Sequence, residues 1–474
     1  MTPRTLSLIP ALLLGLCGCV DRGNWKAAPQ LQARDLKSAQ ALKDAPIDAA
    51  AWPQDQWWRA YGDPQLDALV DEALTGSPSL QVAQARLRAA QAQTVAARGA
   101  LAPQTSLDAQ VSRQRYPEND LYPPPLGGSW STEGRAALDF SWEIDFWGRN
   151  RQLIAAARAG EAAAEADRQA ARLAIAVAVV QAYIQYDLNY ALLDVTNDNL
   201  KQQQGILELT QQRVDAGLET TARVKQSEGT VALTRAGLAY VEASLALSRN
   251  QLADLAGAGP DRGQALARPR LHAPDGIRLP SALPADLLGR RPDVAAARAQ
   301  VEAAGHNIKS AEADFYPNVN LTAFAGFQAI GLSNVFQASD RTFGATPALS
   351  LPVFNRGALR GQLYGRQAQF DASVGQYNQT LLDAVRDVAD VVTNWQGLER
   401  ESQQQVVALD AAQRSFDLTS ERYRAGLDNY LSVLSSENQV LLAQTLRAEL
   451  QARRLTFSVD LVRALGGGYH PPVG

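Results

Sequence analysis

The sequence predicts an α+β membrane protein that combines a long α-helical coiled-coil barrel with a transmembrane β-barrel to which each protomer contributes four strands. Three features predict this fold class: an internal duplication of about 210 residues, proline-free stretches longer than sixty residues, and short segments in which apolar and polar residues alternate. Apolar spacings of three and four residues indicate helices, and strict alternation indicates half-buried strands.

The duplication is visible as landmarks that recur at nearly one offset. An alanine-rich helical pattern runs into a proline twice, an aromatic segment follows each time, and an Ala-Gly pair comes later in each copy. The offsets are 214, 208 and 209 residues, so the repeating unit is a duplicated module and not a short solenoid repeat. The landmark pairs are Pro103 and Pro317, residues 146–149 and 354–357, and Gly217 and Gly426.

The N-terminus carries a processing signal, with Arg4 as its positive region and an apolar core at residues 6–16. Residues 16–19, Leu-Cys-Gly-Cys, fit a bacterial lipobox, so we expect cleavage after residue 18 and a covalent lipid such as palmitate on Cys19. A plain signal peptide is the alternative. After cleavage behind residue 18, Cys19 would be the only cysteine left, which excludes a disulfide within the chain. No cofactor besides the lipid is expected.

Composition and motifs argue against catalysis and against nucleic-acid binding. The chain has 45 Lys and Arg against 49 Asp and Glu, and no basic stretch that would suit nucleic acid. His272, His306 and His470 are scattered without metal-ligand spacing. The glycines at 466–468 lack the strand before and the helix after that a phosphate-binding loop requires. We therefore expect no catalytic residues, no metal site and no enzymatic activity.

Two stretches are too long for the helices of a globular domain. Residues 149–213 contain no proline, and 65 helical residues would extend about 98 Å. Residues 358–424 repeat this pattern, and each stretch precedes an Ala-Gly turn and a second helix with sevenfold apolar spacing, as in a coiled coil. A structural coiled-coil scaffold gives the same pattern. The spaced residues are Val224, Val231, Leu238, Leu245 and Leu252, and then Leu434, Leu441, Ala448, Leu455 and Val462.

Strands are predicted near 104–114, 135–145, 318–328 and 343–353, where alternate residues are apolar. About ten residues suffice to span a bilayer when the strand is tilted, although a soluble half-buried sheet alternates in the same way. Four strands cannot close a barrel, which needs about eight, whereas three chains would supply about twelve.

These elements divide the chain into consecutive segments. The expected segments are a signal peptide at 1–18, a lipid-anchored extended segment at 19–64, a first repeat at 65–256, a linker at 257–283, a second repeat at 284–465 and a tail at 466–474.

Four motifs then resemble a known family. They are Trp57-Trp58-Arg-Ala-Tyr61-Gly-Asp63-Pro64-Gln-Leu66, residues 279–294 with Arg290-Arg291-Pro292-Asp293, residues 422–431 with Arg-Tyr-Arg-Ala-Gly-Leu-Asp, and residues 464–468. The resemblance that they carry extends over nearly all of the mature chain. They are similar to outer-membrane efflux proteins of the TolC type, specifically the lipoprotein (NodT-like) branch.

The resemblance implies a homotrimer in the outer membrane, with a twelve-stranded barrel on a periplasmic helical barrel. Such proteins are passive exit ducts for drugs or other small toxic molecules. They work with an inner-membrane pump, here expected to be of the proton-driven RND type, and a periplasmic adaptor (membrane fusion) protein. A duct for type I protein secretion remains an alternative, as does a lipid-anchored coiled-coil scaffold without a pore.

The resemblance also places a gate and adaptor contact at the two hairpin tips. By motif position Tyr423 matches a tyrosine of the closing network and Leu431 a constricting apolar ring, but Ser435 and Asn438 replace an expected aspartate and arginine. The alternative is that the charged residues at the tips are solvated and form no gate, since exposed ion pairs contribute only about 0–1 kcal/mol. The candidate residues are Arg213, Asp215, Glu219, Arg422, Tyr423, Arg424, Asp428, Leu431, Ser435 and Glu437.

Overall fold

The computed structural model describes residues 24–32, 35–37, 40, 42, 52–119, 122–273, 278–280, 289–352 and 354–470. The expected signal peptide, the lipobox and Cys19 lie outside the described residues, as does part of the expected linker at 257–283. Among the described helices, none is both long and apolar enough to cross a membrane.

The first half contains two short helices, two strands and a long helical hairpin. A 3₁₀ helix at Trp57–Tyr61 precedes them. The elements are α1 (Pro64–Gly76), α2 (Pro78–Gly99), β1 (Gln104–Arg115), β2 (Trp130–Ile144), α3 (Arg149–Asp215), α4 (Thr221–Leu255) and a single turn, α5 (Asp261–Gln264).

The second half repeats the order helix, strand, strand, long helix, helix, which confirms the predicted duplication. The elements are α6 (Pro292–Ala313), β3 (Asn318–Ile330), β4 (Arg341–Ser350), α7 (Arg356–Arg424) and α8 (Tyr430–Ala464). The long helices have 67 and 69 residues, and both second helices have 35. In α4, four of the five predicted seam residues are buried, namely Val224, Val231, Leu245 and Leu252.

The strand bounds differ from the predicted ones at two places. β2 begins at Trp130, five residues before the predicted start near 135, because β1 extends to Arg115 and pairs with β2 as far as Trp130. β4 ends at Ser350 and not near 353, since Asn318, its partner there, is the first residue of β3.

The chain forms two compact units, each built from residues of both repeats. The sheet unit comprises the described residues within 1–30, 86–164 and 297–377, and the hairpin unit those within 31–85, 165–296 and 378–474.

In the sheet unit, the four strands form one antiparallel sheet in the order β1-β2-β3-β4. Leu107 pairs with Leu138, Leu138 with Ala325, and Ala325 with Phe343, so these residues share one face, which is mainly apolar. This apolar face is exposed in the single chain, with Leu107 77% and Phe343 81% accessible. The opposite, polar face includes Asp139, which accepts a hydrogen bond of 2.7 Å from Arg135.

In the hairpin unit, the largest core forms around the motif at residues 57–66. Trp58, Leu66 and Leu69 are at most 1% exposed and belong to the same cluster as residues of α3, α4 and α8. Asp63 caps α1 through a hydrogen bond from the Gln65 backbone N–H and also accepts one of 2.8 Å from the Tyr183 hydroxyl. An N-cap contributes about 1 kcal/mol, so the motif anchors α1 as well as filling the core.

Candidate functional site: the hairpin tips

The long helix α3 ends in a left-handed glycine. Gly217 has φ of 74°, and its N–H donates to the Val214 carbonyl at 2.9 Å. The Leu218 N–H donates to the Arg213 carbonyl at 2.8 Å. These two bonds form a Schellman motif, which satisfies the last carbonyls of the helix and reverses the chain.

The long helix α7 ends in the same way 209 residues later. Gly426 has φ of 75°, its N–H donates to the Tyr423 carbonyl at 3.0 Å, and the Leu427 N–H donates to the Arg422 carbonyl at 2.8 Å. The shared sequence of an arginine, three residues, glycine and leucine therefore encodes one backbone turn in both repeats. Both turns are therefore formed by hydrogen bonds between residues close together in sequence.

The second tip carries a capping network that the first does not. The Asn429 side chain accepts a hydrogen bond of 3.1 Å from the Ser432 N–H and so caps α8, whereas Thr220 at the start of α4 makes no side-chain cap. Asp428 accepts from the Asn429 N–H at 2.8 Å and from Arg422 Nε at 3.3 Å. Hydrogen bonds from Ser432, Asn429 and Arg422 hold the pKa of Asp428 below its usual range.

Tyr423 joins the ends of the two long helices. Its side chain is 1% exposed, and the Arg213 guanidinium lies 4.8 Å from the centre of its ring. Arg213 Nη1 also donates to the Tyr423 carbonyl at 3.0 Å, and the Tyr423 hydroxyl lies 3.4 Å from Thr210 Oγ1. The cation–π contact and the hydrogen bonds connect the last turn of α3 to the last turn of α7.

An apolar cluster surrounds this junction. Tyr423, Tyr430 and Val433 are each 1% exposed, and the half-buried Leu209 and Phe416 pack against them. Tyr423 therefore fills the core of the hairpin ends as well as forming polar contacts.

Glu437 forms a second connection further along α8. Its carboxylate is 1% exposed and accepts hydrogen bonds from Gln203 Nε2 at 2.6 Å and Asn199 Nδ2 at 3.5 Å, both on α3. Thr234 of α4 donates to Asn199 Oδ1 at 3.4 Å and extends the network to a third helix. Burial raises the pKa of Glu437 from 4.5 to about 7, because it removes water from the charged form.

The remaining candidate residues do not join this buried network. Asp215 is exposed, and its one hydrogen bond to a described residue comes from Gln211 of its own helix, at 3.0 Å. Arg424 and Ser435 are exposed, Leu431 is 48% accessible, and Glu219 is half-buried. The ten candidates thus divide into buried connections between helices and a group on the outside of the tips.

Sequence reasoning missed the partners on α3. Asn199, Gln203 and Thr210 are at most 8% exposed and supply the contacts to Glu437 and Tyr423. A signal for them exists, since positions 199, 203, 206, 210 and 213 alternate steps of four and three. That is the spacing of a coiled-coil seam. Polar residues at seam positions therefore marked the network.

No group of three or more His, Cys, Asp or Glu that could hold a metal ion occurs in the part of the chain that the structure describes. What the tips offer instead is a set of hydrogen bonds and ion pairs between helices. Such an arrangement can hold helices together or release them.

Comparisons with known proteins agree with this architecture. The family described as "Outer membrane efflux protein" matches the chain twice, at residues 69–258 and 283–467, one match in each repeat. The fusaric acid resistance protein FusA of Burkholderia cepacia is 39% identical over 367 residues, covering 76% of this chain and 69% of the relative. The multidrug resistance outer membrane protein MdtP of Shigella flexneri is 31% identical over 451 residues, covering 93% and 91%.

A solved structure extends the likeness to three dimensions. The outer membrane protein VceC of Vibrio cholerae aligns with a TM-score of 0.84 and 36% sequence identity, covering 88% of this chain and 100% of that one. The helical hairpins with a small antiparallel sheet therefore form the fold of TolC-like outer-membrane channels, as predicted. The chain belongs to the outer membrane efflux protein family and is an outer-membrane exit channel of an efflux system.

Proposed function

We propose that three copies of the chain form the exit duct of a tripartite efflux system. The observation that carries this proposal is the sheet, which has an exposed apolar face and two unpaired edge strands, β1 and β4, among the described residues. A barrel needs about eight strands or more, and a closed barrel leaves no edge. Three chains that pair β4 with the next β1 would supply about twelve strands.

The cargo is proposed to be small toxic organic molecules. The relatives' names refer to fusaric acid resistance and multidrug resistance. Within the sheet unit, the polar face carries Asp108, Glu133, Arg135, Asp139 and Glu143, which suits a water-filled passage. A passive duct takes its substrates and its energy from a pump, here proposed to be an inner-membrane pump of the proton-driven RND type joined through a periplasmic adaptor protein.

The hairpin tips are proposed as the gate and the adaptor contact. The Arg213–Tyr423 junction and the Glu437 network connect helices that would have to separate when the duct opens. The outer group of Asp215, Arg424 and Ser435, together with Leu431 and Glu219, remains accessible to a partner. A covalent lipid on Cys19, in the manner of the lipoprotein branch, is proposed as an additional anchor to the outer membrane.

A matched pair of variants tests the duct. Leu138 lies on the apolar face and Ser141 on the polar face of the same strand. On the lipid face of such a barrel, an arginine or lysine at mid-depth is destabilising by about 2–4 kcal/mol, and an aspartate is destabilising by a smaller amount. In cells that lack the gene, wild type and Ser141→Asp should restore low accumulation of a cationic fluorescent dye, whereas Leu138→Asp should not.

Two results would refute the proposal. Equal accumulation with and without the wild-type chain would mean that it exports no small molecule of this kind, as a secretion duct or a scaffold would behave. Equal activity of Leu138→Asp and Ser141→Asp would mean that the apolar face does not meet lipid.

A further inference from the structure

The charged residues of the four strands are divided between the two faces of the sheet. The register places Arg113 and Arg115 in phase with Leu107 and Val111 on β1, and Arg341 in phase with Phe343 on β4. The apolar face thus carries three arginines and no acidic residue within its strands. The acidic residues of the strands all lie on the polar face, namely Asp108, Glu133, Asp139 and Glu143.

The three arginines also share one end of the sheet. Arg115 is the last residue of β1, Arg113 stands two residues before it, and Arg341 is the first residue of β4. These are the ends at which β1 joins β2 and β3 joins β4. Trp130 pairs with Arg115 at this end and is 64% exposed on the same face. Tryptophan is typical of the level where hydrocarbon meets head groups.

The positions of Arg113 and Arg341 fit the thickness of a membrane. Arg113 lies nine positions after Gln104, and Ser350 lies nine positions after Arg341. Nine residues extend about 30 Å along a strand, or about 23 Å along the membrane normal at a tilt of about 40°. The apolar band of such barrels is about 25 Å tall. If one end of each strand lies at the inner boundary of this band, the arginines lie at the outer boundary.

The arginines are available to an external anion. Arg113 and Arg341 are exposed and make no ion pair with any residue that the structure describes. Arg115 is paired with Glu118 at 3.2 Å, but both side chains are more than half exposed. Such a pair contributes little, so a stronger anion can replace it.

Arginine on a lipid-exposed face is costly unless its guanidinium finds an anion at the head-group level. Its long side chain can keep its apolar part against hydrocarbon while the guanidinium reaches the interface. The planar guanidinium binds phosphate through paired hydrogen bonds, which an ammonium group cannot do. The charge, the position and the residue type of these side chains therefore favour a phosphate group at the level of the lipid head groups as their partner.

We propose that Arg113, Arg115 and Arg341 form a binding surface for the phosphate groups of outer-leaflet lipid head groups. The strand ends that carry them are opposite the ends at which the strands connect to the helices, and hence face the exterior of the outer membrane. The inference rests on the proposed insertion of the apolar face into the membrane, but it does not depend on what the duct exports.

Native mass spectrometry of the full chain in detergent tests this surface. The probes are diphosphorylated lipid A and the same lipid with its phosphates removed. Wild type should bind the phosphorylated form more tightly. Each arginine near an anionic surface contributes about fivefold in affinity, so a variant with Arg113→Gln, Arg115→Gln and Arg341→Gln should bind it on the order of a hundredfold more weakly.

A matched variant controls for net charge. Arg86→Gln, Arg88→Gln and Arg235→Gln remove three exposed arginines from the helices α2 and α4 and should leave lipid binding as in wild type. If the triple strand variant does not fold, each single variant should still show about a fivefold loss.

Three outcomes would overturn the inference: no preference of wild type for the phosphorylated lipid, equal weakening by both triple variants, or displacement of the lipid by inorganic phosphate, which would indicate a site for free anions. Dye export reports separately on the proposed function. If the chain prefers the phosphorylated lipid but does not restore dye export, the proposed duct is refuted and the lipid-binding surface is not.

Discussion

Replacing Glu437 by glutamine is expected to stabilise the hairpin unit above pH 7 and to leave it unchanged below about pH 4.5. The side chain is 1% exposed and its neighbours are the amides of Asn199 and Gln203. Gln203 Oε1 has no hydrogen-bond partner among the described residues. The amide of the substituted glutamine can donate to such an acceptor, as a protonated Glu437 can, but a carboxylate cannot.

The sign follows from the direction of the pKa shift. Burial raises the pKa of Glu437 from 4.5 to about 7 in the folded chain. Below pH 4.5 the group is protonated in both states, and its full contribution to stability is present. Between pH 4.5 and 7 the unfolded chain ionises while the folded chain does not, so the free energy of unfolding falls as pH rises. Above pH 7 the loss is complete.

The size of the loss is about 3 kcal/mol per chain, since each pKa unit corresponds to about 1.4 kcal/mol. An unfolding entropy of about 2 cal/mol/K per residue converts this into a shift of roughly 3 °C in melting temperature for a chain of this size. Glu437→Gln should therefore melt about 3 °C above wild type at pH 8 and together with it at pH 4.5.

Thermal unfolding followed by circular dichroism from pH 4.5 to 8 measures this difference. Glu228→Gln is the matched control, because Glu228 occupies the corresponding position of the first repeat and is paired with Lys225 at 2.8 Å on the surface. The melting temperature of this control variant relative to wild type should not change as pH rises. If the melting temperatures of wild type and Glu437→Gln differ by the same amount at every pH in this range, the buried-carboxyl argument is refuted.

Two further substitutions test the helix ends and the buried ion network. Gly426→Ala places a side chain at φ of 75° and should lower the free energy of unfolding by about 1–2 kcal/mol and speed proteolysis at the tip. The control is Gly229→Ala within α4, where an added Cβ would have no neighbour within 4 Å, and it should be neutral or stabilising. Equal effects of the two substitutions would contradict the backbone argument. Arg291 is 8% exposed and donates to Asp293, Asp387 and the Ala464 carbonyl. In chemical denaturation, Arg291→Gln should lower the free energy of unfolding by about 3 kcal/mol or more. The exposed Arg386→Gln should lower it by less than about 1 kcal/mol. Similar losses for the two variants would contradict the importance of the buried ion network.

Much of the fold could be predicted because its signals are local. The absence of proline indicated the long helices, and glycine after alanine marked both tips, where left-handed Gly217 and Gly426 end α3 and α7. The start of β2 could not be predicted, since residues 131–134 have no apolar alternation and are held in the strand by pairing with β1.

The candidate site was predicted less completely. Tyr423 came from motif position and Glu437 from its place two residues after Ser435, but their partners lie more than 200 residues away in sequence, on α3. Such contacts arise from packing, and only polar residues at seam spacing marked them beforehand. Exposure likewise depends on the folded hairpins, which is why Asp215 and Arg424 could not be separated from the buried candidates.

Single-channel conductance of the purified chain in planar bilayers tests the central claim most directly. Arg213→Ala combined with Glu437→Ala removes the cation–π contact, the hydrogen bond to Tyr423 and the acceptor of Gln203. If the chain is a duct closed at its hairpin tips, wild type should form channels of small conductance and the double variant channels of clearly larger conductance. Membrane-inserted trimers that form no channels in either case would contradict the account.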